Sequence, residues 1–103
     1  MRTLLTVSIP AAKGSQAIAD GSLQRIIQQL AATIHPEAAY FTAVGGKRTG
    51  FLVFDMADSS QIPVISEPLF RELDAEIAFS PVMNQDDLTK GLTTLGQAGG
   101  ATI

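Results

Sequence analysis

Few side chains in this 103-residue chain could carry chemistry. There is no cysteine, and His35 is the single histidine. Disulfides, iron–sulfur centres, thiolate metal sites and thiol nucleophiles are thereby excluded, and an all-protein zinc site lacks nitrogen ligands. Imidazole is the side chain suited to proton transfer near neutrality, so His35 is a candidate general base or haem ligand; its place before Pro36 at a helix end also suits a structural role against the helix dipole. Tyr40, the only tyrosine, shares a strand face with Thr42, and Thr6 and Ser8 share a face of the first strand. Lining a cavity, these hydroxyls would set a few donors in a mostly apolar pocket, a composition that suits a small ligand. The alternative for Tyr40 is a sheet edge with its hydroxyl in water. Lys47 and Arg48 are the only adjacent basic residues. Arg48 could orient an anionic group at the cavity mouth, or the pair could keep a hairpin tip solvated and discourage edge pairing. Asp55 and Glu76 lie on strands, either paired across the sheet or placed as cavity acids. The candidate catalytic residues are therefore Tyr40 and His35, and the candidate ligand-binding residues Thr6, Ser8, Thr42 and Arg48. No metal and no cofactor are expected.

Composition narrows the classes further. Ten acidic residues against seven basic ones give a formal net charge of -3, with 46% hydrophobic residues and a mean hydropathy of +0.23. Such a balance carries no footprint for nucleic acid or an anionic membrane, and it excludes an intrinsically disordered chain. The segment RTGFLVF superficially resembles the basic-Gly-aromatic strand of RNA-recognition motifs, but Leu52, Val53 and Met56 stand where a small residue and two aromatics are wanted. A phosphate loop fails too, because Arg48 follows Gly46-Lys47 where Ser or Thr is needed. The opening MRTLLTVSIPAA is interrupted by Thr6, Ser8 and Pro10 and reads as a strand rather than a signal peptide. No run reaches the roughly 20 apolar residues of a membrane helix, so a cytoplasmic protein is expected.

These residues must be positioned by a small set of elements. The β-rich run Arg2 to Ile9 predicts a strand closed by Pro10. Leu23, Ile26, Ile27, Leu30 and Ile34 recur at helical spacing, with His35-Pro36 as the stop. Asp20-Gly21-Ser22 interrupts the front of that segment, so Ser15 to Ala19 is either a separate turn or the first part of a kinked helix. Glu37 to Val44 and Lys47 to Met56 flank Gly45-Gly46 and predict an antiparallel hairpin. Asp58-Ser59-Ser60-Gln61 opens a second helix with the stripe Ile62, Ile65, Leu69 and Leu73, and Pro68 predicts a kink or break near Glu67. Ala75 to Met83 predicts the last strand, with Pro81 at an edge or its end. Asn84 caps a short terminal helix carrying Leu88 and Leu92, and residues 96–103, glycine-rich, form a flexible tail after a single domain over residues 1–95.

The resulting order, βαββαβ plus a C-terminal helix, is the ferredoxin-like split arrangement: an α+β fold in which helices cover one face of a four-stranded antiparallel sheet. The third strand has Phe51 and Val53 on one face and Leu52, Phe54 and Met56 on the other. A half-solvated antiparallel strand should show polar residues at every second position, so the bare face needs a cover. A second copy packed sheet to sheet supplies one and encloses a cavity; the terminal helix folding back over its own sheet is the alternative.

The segments PEAAYFTAVGGKRTGFLVFDM, EPLF and PVMNQDDL resemble a functionally uncharacterised group of small bacterial proteins in the dimeric α+β barrel superfamily, over essentially Thr3 to Leu92. Some relatives carry a pantothenate-synthetase label. A nucleotide-activating ligase would need a larger phosphate-binding domain and a histidine-rich nucleotide motif, which this sequence lacks. The resemblance implies a homodimer with a cavity between subunits and leaves the chemistry open among cofactor-independent oxygenation, isomerisation and haem degradation. The expected function is binding of a small, largely apolar molecule in that inter-sheet cavity, with cofactor-independent oxygenase or isomerase activity as its catalytic form. A non-catalytic dimerisation or accessory module with a filled interface is the alternative. Beyond a second copy and a small-molecule ligand, no nucleic-acid or membrane partner is expected.

Overall fold

Along β1 (Arg2–Ile9) every second side chain is buried: Thr3, Leu5, Val7 and Ile9 face a helical layer, while Arg2, Leu4, Thr6 and Ser8 face away from it. This alternation organises the computed structural model, which describes residues 1–99. Pro10 ends the strand and begins α1 (Ala11–Ala19), after which Gly21 takes φ 80°, a left-handed conformation natural to glycine, and the chain restarts as α2 (Ser22–Ile34). Asp20 Oδ1 accepts the Ser22 amide at 2.8 Å across this break. The interruption in the sequence therefore divides the segment into two helices. α2 ends at His35, itself left-handed at φ 46°, whose amide donates to the Ala31 carbonyl at 2.9 Å.

β2 (Ala38–Val44) and β3 (Lys47–Asp55) form the expected hairpin, with Gly45 and Gly46 at φ 59° and 77°, the pair of positive angles that a tight two-residue connection requires. α3 (Gln61–Leu73) then crosses the same sheet face as α2 and buries Ile65, Leu69 and Leu73. It runs unbroken through Pro68, against the expectation of a break near Glu67. The carbonyl that loses its donor belongs to Val64, whose residue is 65% exposed, so water can take the place of the missing amide. β4 (Glu76–Pro81) completes the sheet at its edge.

The strand order is β2-β3-β1-β4 with all neighbours antiparallel. Four strands with helices on one face make an α+β arrangement compatible with a ferredoxin-like fold. Between sheet and helices lie Leu5, Leu52, Phe54, Ile26, Leu69 and Leu73, each 3% exposed or less. Each such side chain contributes about 1.5–3 kcal/mol by leaving water.

The last helix differs from expectation. α4 (Gln85–Gly99) has 15 residues, so it is not short, and the Gly96–Gly99 part expected in a flexible tail is helical. The remaining tail residues lie outside the described ones. A reciprocal cap starts it: the Asp87 amide donates to Asn84 Oδ1 at 2.8 Å, and the Asn84 amide to Asp87 Oδ2 at 3.1 Å. Further along, the Thr93 and Thr94 hydroxyls bond back to the carbonyls of Thr89 and Lys90. α4 does not fold back over the sheet. It projects, leaving Leu88, Leu92 and Leu95 between 40% and 60% exposed and stretching the molecule to 59 × 28 × 19 Å. The radius of gyration is 17.1 Å, where a compact chain of this length has about 13 Å.

Candidate functional site

The sheet face away from the helices carries four of the six candidate residues. Register places them in neighbouring rungs: Tyr40, Phe51, Thr6 and Ala78 in one, and Thr42, Thr49, Ser8 and Glu76 in the next. A third rung joins Ala38, Val53, Leu4 and Ser80. Leu4, Phe51 and Val53 are half-buried by their neighbours, and Tyr40 stands 72% exposed on the edge strand. Ser8 Oγ and Thr49 Oγ1 lie 3.5 Å apart, and Thr49 Oγ1 donates to the Lys47 carbonyl at 3.2 Å.

Charges occupy only the two ends of this face. At one end Arg2 Nε donates to Glu37 Oε1 at 2.7 Å while its Nη1 stands 3.7 Å from Asp87 Oδ2, which ties the start of α4 to the sheet. The hydrogen bond and charge of Glu37 raise the Arg2 pKa. Asp55 at the same end faces the Met1 ammonium at 2.7 Å, which holds its carboxyl below the usual range. At the other end Lys47 Nζ donates to Glu76 Oε1 at 2.8 Å. Asp55 and Glu76 thus each meet a cation, and neither is a free acid over the middle rungs. In the rungs of Leu4 and Thr6, between these charged ends, the face presents hydroxyls and hydrocarbon but no charge.

The other two candidates lie elsewhere. His35 is exposed at the C-terminal end of α2, before β2 begins, and is not on the strand face that carries Tyr40. Arg48 shares its register with Ile9 and Ala43, which turns it to the helical side of the sheet. There Nη1 donates to the Ala11 carbonyl at 3.0 Å and Nη2 to Ser15 Oγ at 3.3 Å. Gly14 makes the approach possible, since a Cβ at that position would stand 2.8 Å from Nη1.

Arg48 borders a crevice that residue spacing did not reveal. Between α2 and the β2–β3 hairpin lies an open, almost wholly apolar hollow of about 430 Å³, walled by Leu23 and Ile27 on the helix, Phe41 and Ala43 on β2, and Gly50 and Leu52 on β3. Leu23 and Ile27 belong to the predicted stripe of α2, yet only Ile26, Leu30 and Ile34 on that helix are fully buried. A lone glycine within a strand, Gly50, was the available signal: a Cβ there would come within 3.1 Å of the Phe41 ring. Among the described residues no cluster of three or more His, Asp or Glu side chains could hold a metal ion, and no helix is long and apolar enough to cross a membrane. Comparison with family models, curated proteins and solved structures returns no match.

Proposed function

We propose that this chain acts as a homodimer whose open sheet faces oppose one another, in the manner of the dimeric α+β barrel superfamily, and hold a small, largely apolar molecule between them. The observation that carries this reading is the open face itself. Its two inner rungs, those of Leu4 and Thr6, are hydrocarbon and hydroxyl, and charge stands only beyond them, at Arg2 and Asp55 on one side and at Glu76 and Lys47 on the other, the pattern of an apolar patch with a polar rim. α4 leaves this face uncovered within its own chain, which favours a second copy as the cover. Thr6, Ser8, Tyr40 and Thr42 would then supply the polar contacts that orient the ligand. In a catalytic form, cofactor-independent oxygenation or isomerisation, the Tyr40 hydroxyl is the donor over the sheet. His35 would have to act from outside that face, and Arg48 from the opposite side of the sheet.

A second reading, a non-catalytic dimerisation module with a filled interface, draws on the bulk of Phe51, Leu4 and Val53 and on hydroxyls that already bond among themselves. Light scattering across a concentration series tests what the two share: a dimer at micromolar concentration is expected, and a monomer there refutes both. Native mass spectrometry of the purified dimer separates them. A retained small molecule, lost on Tyr40→Phe, supports the ligand chamber, whereas a dimer of bare polypeptide mass that binds no added apolar compound supports the filled interface.

A further inference from the structure

The crevice on the helical side has its own chemistry. Its walls are hydrocarbon almost throughout, and among its lining residues Arg48 alone is charged. A volume of about 430 Å³ is within the range of small-molecule sites, and an apolar body placed there would exchange water for close contact with Leu23, Ile27 and Phe41. Arg48 is held at the border by neutral acceptors only, the Ala11 carbonyl and the Ser15 hydroxyl. The Arg2 and Arg25 guanidiniums meet carboxylates at 2.7 and 3.1 Å, but among the described residues no carboxylate lies within 4.0 Å of Arg48. A guanidinium offers five donors in a planar fork, so two bonds to α1 orient the group and leave donors for a further acceptor. Gly14 and Gly50 serve the same geometry, the first admitting the arginine against α1 and the second admitting the Phe41 ring against β3.

We propose that this crevice binds an amphiphilic monocarboxylate, with its apolar body against Leu23, Ile27 and Phe41 and its carboxylate on Arg48. One cation matches one negative charge in a charge-assisted, fork-shaped contact. An amine would meet repulsion there, and a neutral head would forgo the ionic part of the bond. The site lies across the sheet from Tyr40 and stands whether or not two copies associate.

The test is a titration of the full chain, isotope-labelled for amide NMR, with decanoate, decanol and decylamine. Decanoate is expected to shift the amides of Leu23, Ile27, Phe41 and Ala43 and to bind about tenfold more tightly than decanol, with decylamine weakest. Arg48→Gln should remove the preference for decanoate over decanol, and Arg48→Lys should keep part of it, because charge remains when the fork is lost. Ala43→Phe, at an exposed position of the wall, should weaken decanoate and decanol alike with Arg48 in place, so the crevice can be tested even if Arg48→Gln does not fold. The proposal is overturned by the absence of saturable shifts at the crevice, by equal affinity for the three probes, by affinities that Ala43→Phe leaves unchanged, or by a decanoate preference intact in a folded Arg48→Gln. It is equally overturned by shifts confined to Thr6, Ser8 and Tyr40, or by crevice shifts that depend on protein concentration alone, which would make a second copy the occupant.

Discussion

The two faces of the sheet use similar residue types to different ends. On the helical side Leu5, Leu52 and Phe54 are 3% exposed or less, locked between the strands and α2 and α3. On the other side Leu4, Phe51 and Val53 are comparably apolar but shielded only by side chains of adjoining rungs. Burial from above thus distinguishes a core from a surface awaiting a cover, although the strand itself reads as hydrophobic on both sides. The hydroxyls sharpen the contrast. Thr3 is the one strand hydroxyl turned to the helices, and it satisfies itself by donating to the Met1 carbonyl at 2.9 Å, whereas Thr6, Ser8, Thr42 and Thr49 gather on the open face.

The contrast can be broken most forcefully at paired phenylalanines. Phe54→Ala should cost about 3–5 kcal/mol in urea unfolding, because its ring leaves a cavity that neighbours cannot collapse into. Phe51→Ala, measured at concentrations where the chain is monomeric, should cost only about 1–2 kcal/mol, and its larger effect should be on the association constant. Equal losses at the two positions would make the open face part of the core. Truncation after Asn84, removing α4, should change monomer stability by less than about 1 kcal/mol, because the helix buries little of its own chain; its measurable signature is lost helical circular dichroism. The smallest effect concerns pH. The Ser22 side chain and amide at Asp20, and the Ser60 amide and side chain at Asp58, hold both carboxyls below their usual range. Their contribution is present above the ordinary carboxylate pKa of about 4 and is lost as pH falls through the lower folded values. Asp20→Asn and Asp58→Asn should therefore flatten the acid limb of the stability curve by slightly lowering stability at neutrality while leaving it unchanged below about pH 3, read by thermal unfolding at stepped pH.

Much of this contrast is legible in residue order. The first strand and the glycine turn follow from β-branched residues before a proline and from two adjacent glycines, and the two-sided hydrophobicity of β3 follows from counting alternate residues. Alternation also separates Lys47 from Arg48, placing one on each face, yet their adjacency suggests joint action at one cavity. The continuity of α3 is hidden because proline's cost depends on whether the orphaned carbonyl reaches water, and that is a property of the packed helix. The crevice is hidden for a similar reason: it arises from the spacing between α2 and β2, and no local pattern encodes a distance between elements. The length of α4 is obscured because its glycines signal weak propensity, whereas the Asn84–Asp87 cap and the following leucines favour continuation.

Strand order has a consequence in time. β1 precedes the other strands of this sheet along the chain and sits in its middle, bonded on one side to β3 and on the other to β4. Only β2 and β3 are joined by a tight turn; both ladders of β1 require distant segments to meet, and the entropy of closing those long loops precedes any gain from pairing. Until β3 emerges, Leu5, Val7 and Ile9 have no sheet to join. The nascent chain must carry that apolar strand unpaired while the stretch from Pro10 to Gly46 is made, with α1 and α2 as its available shelter.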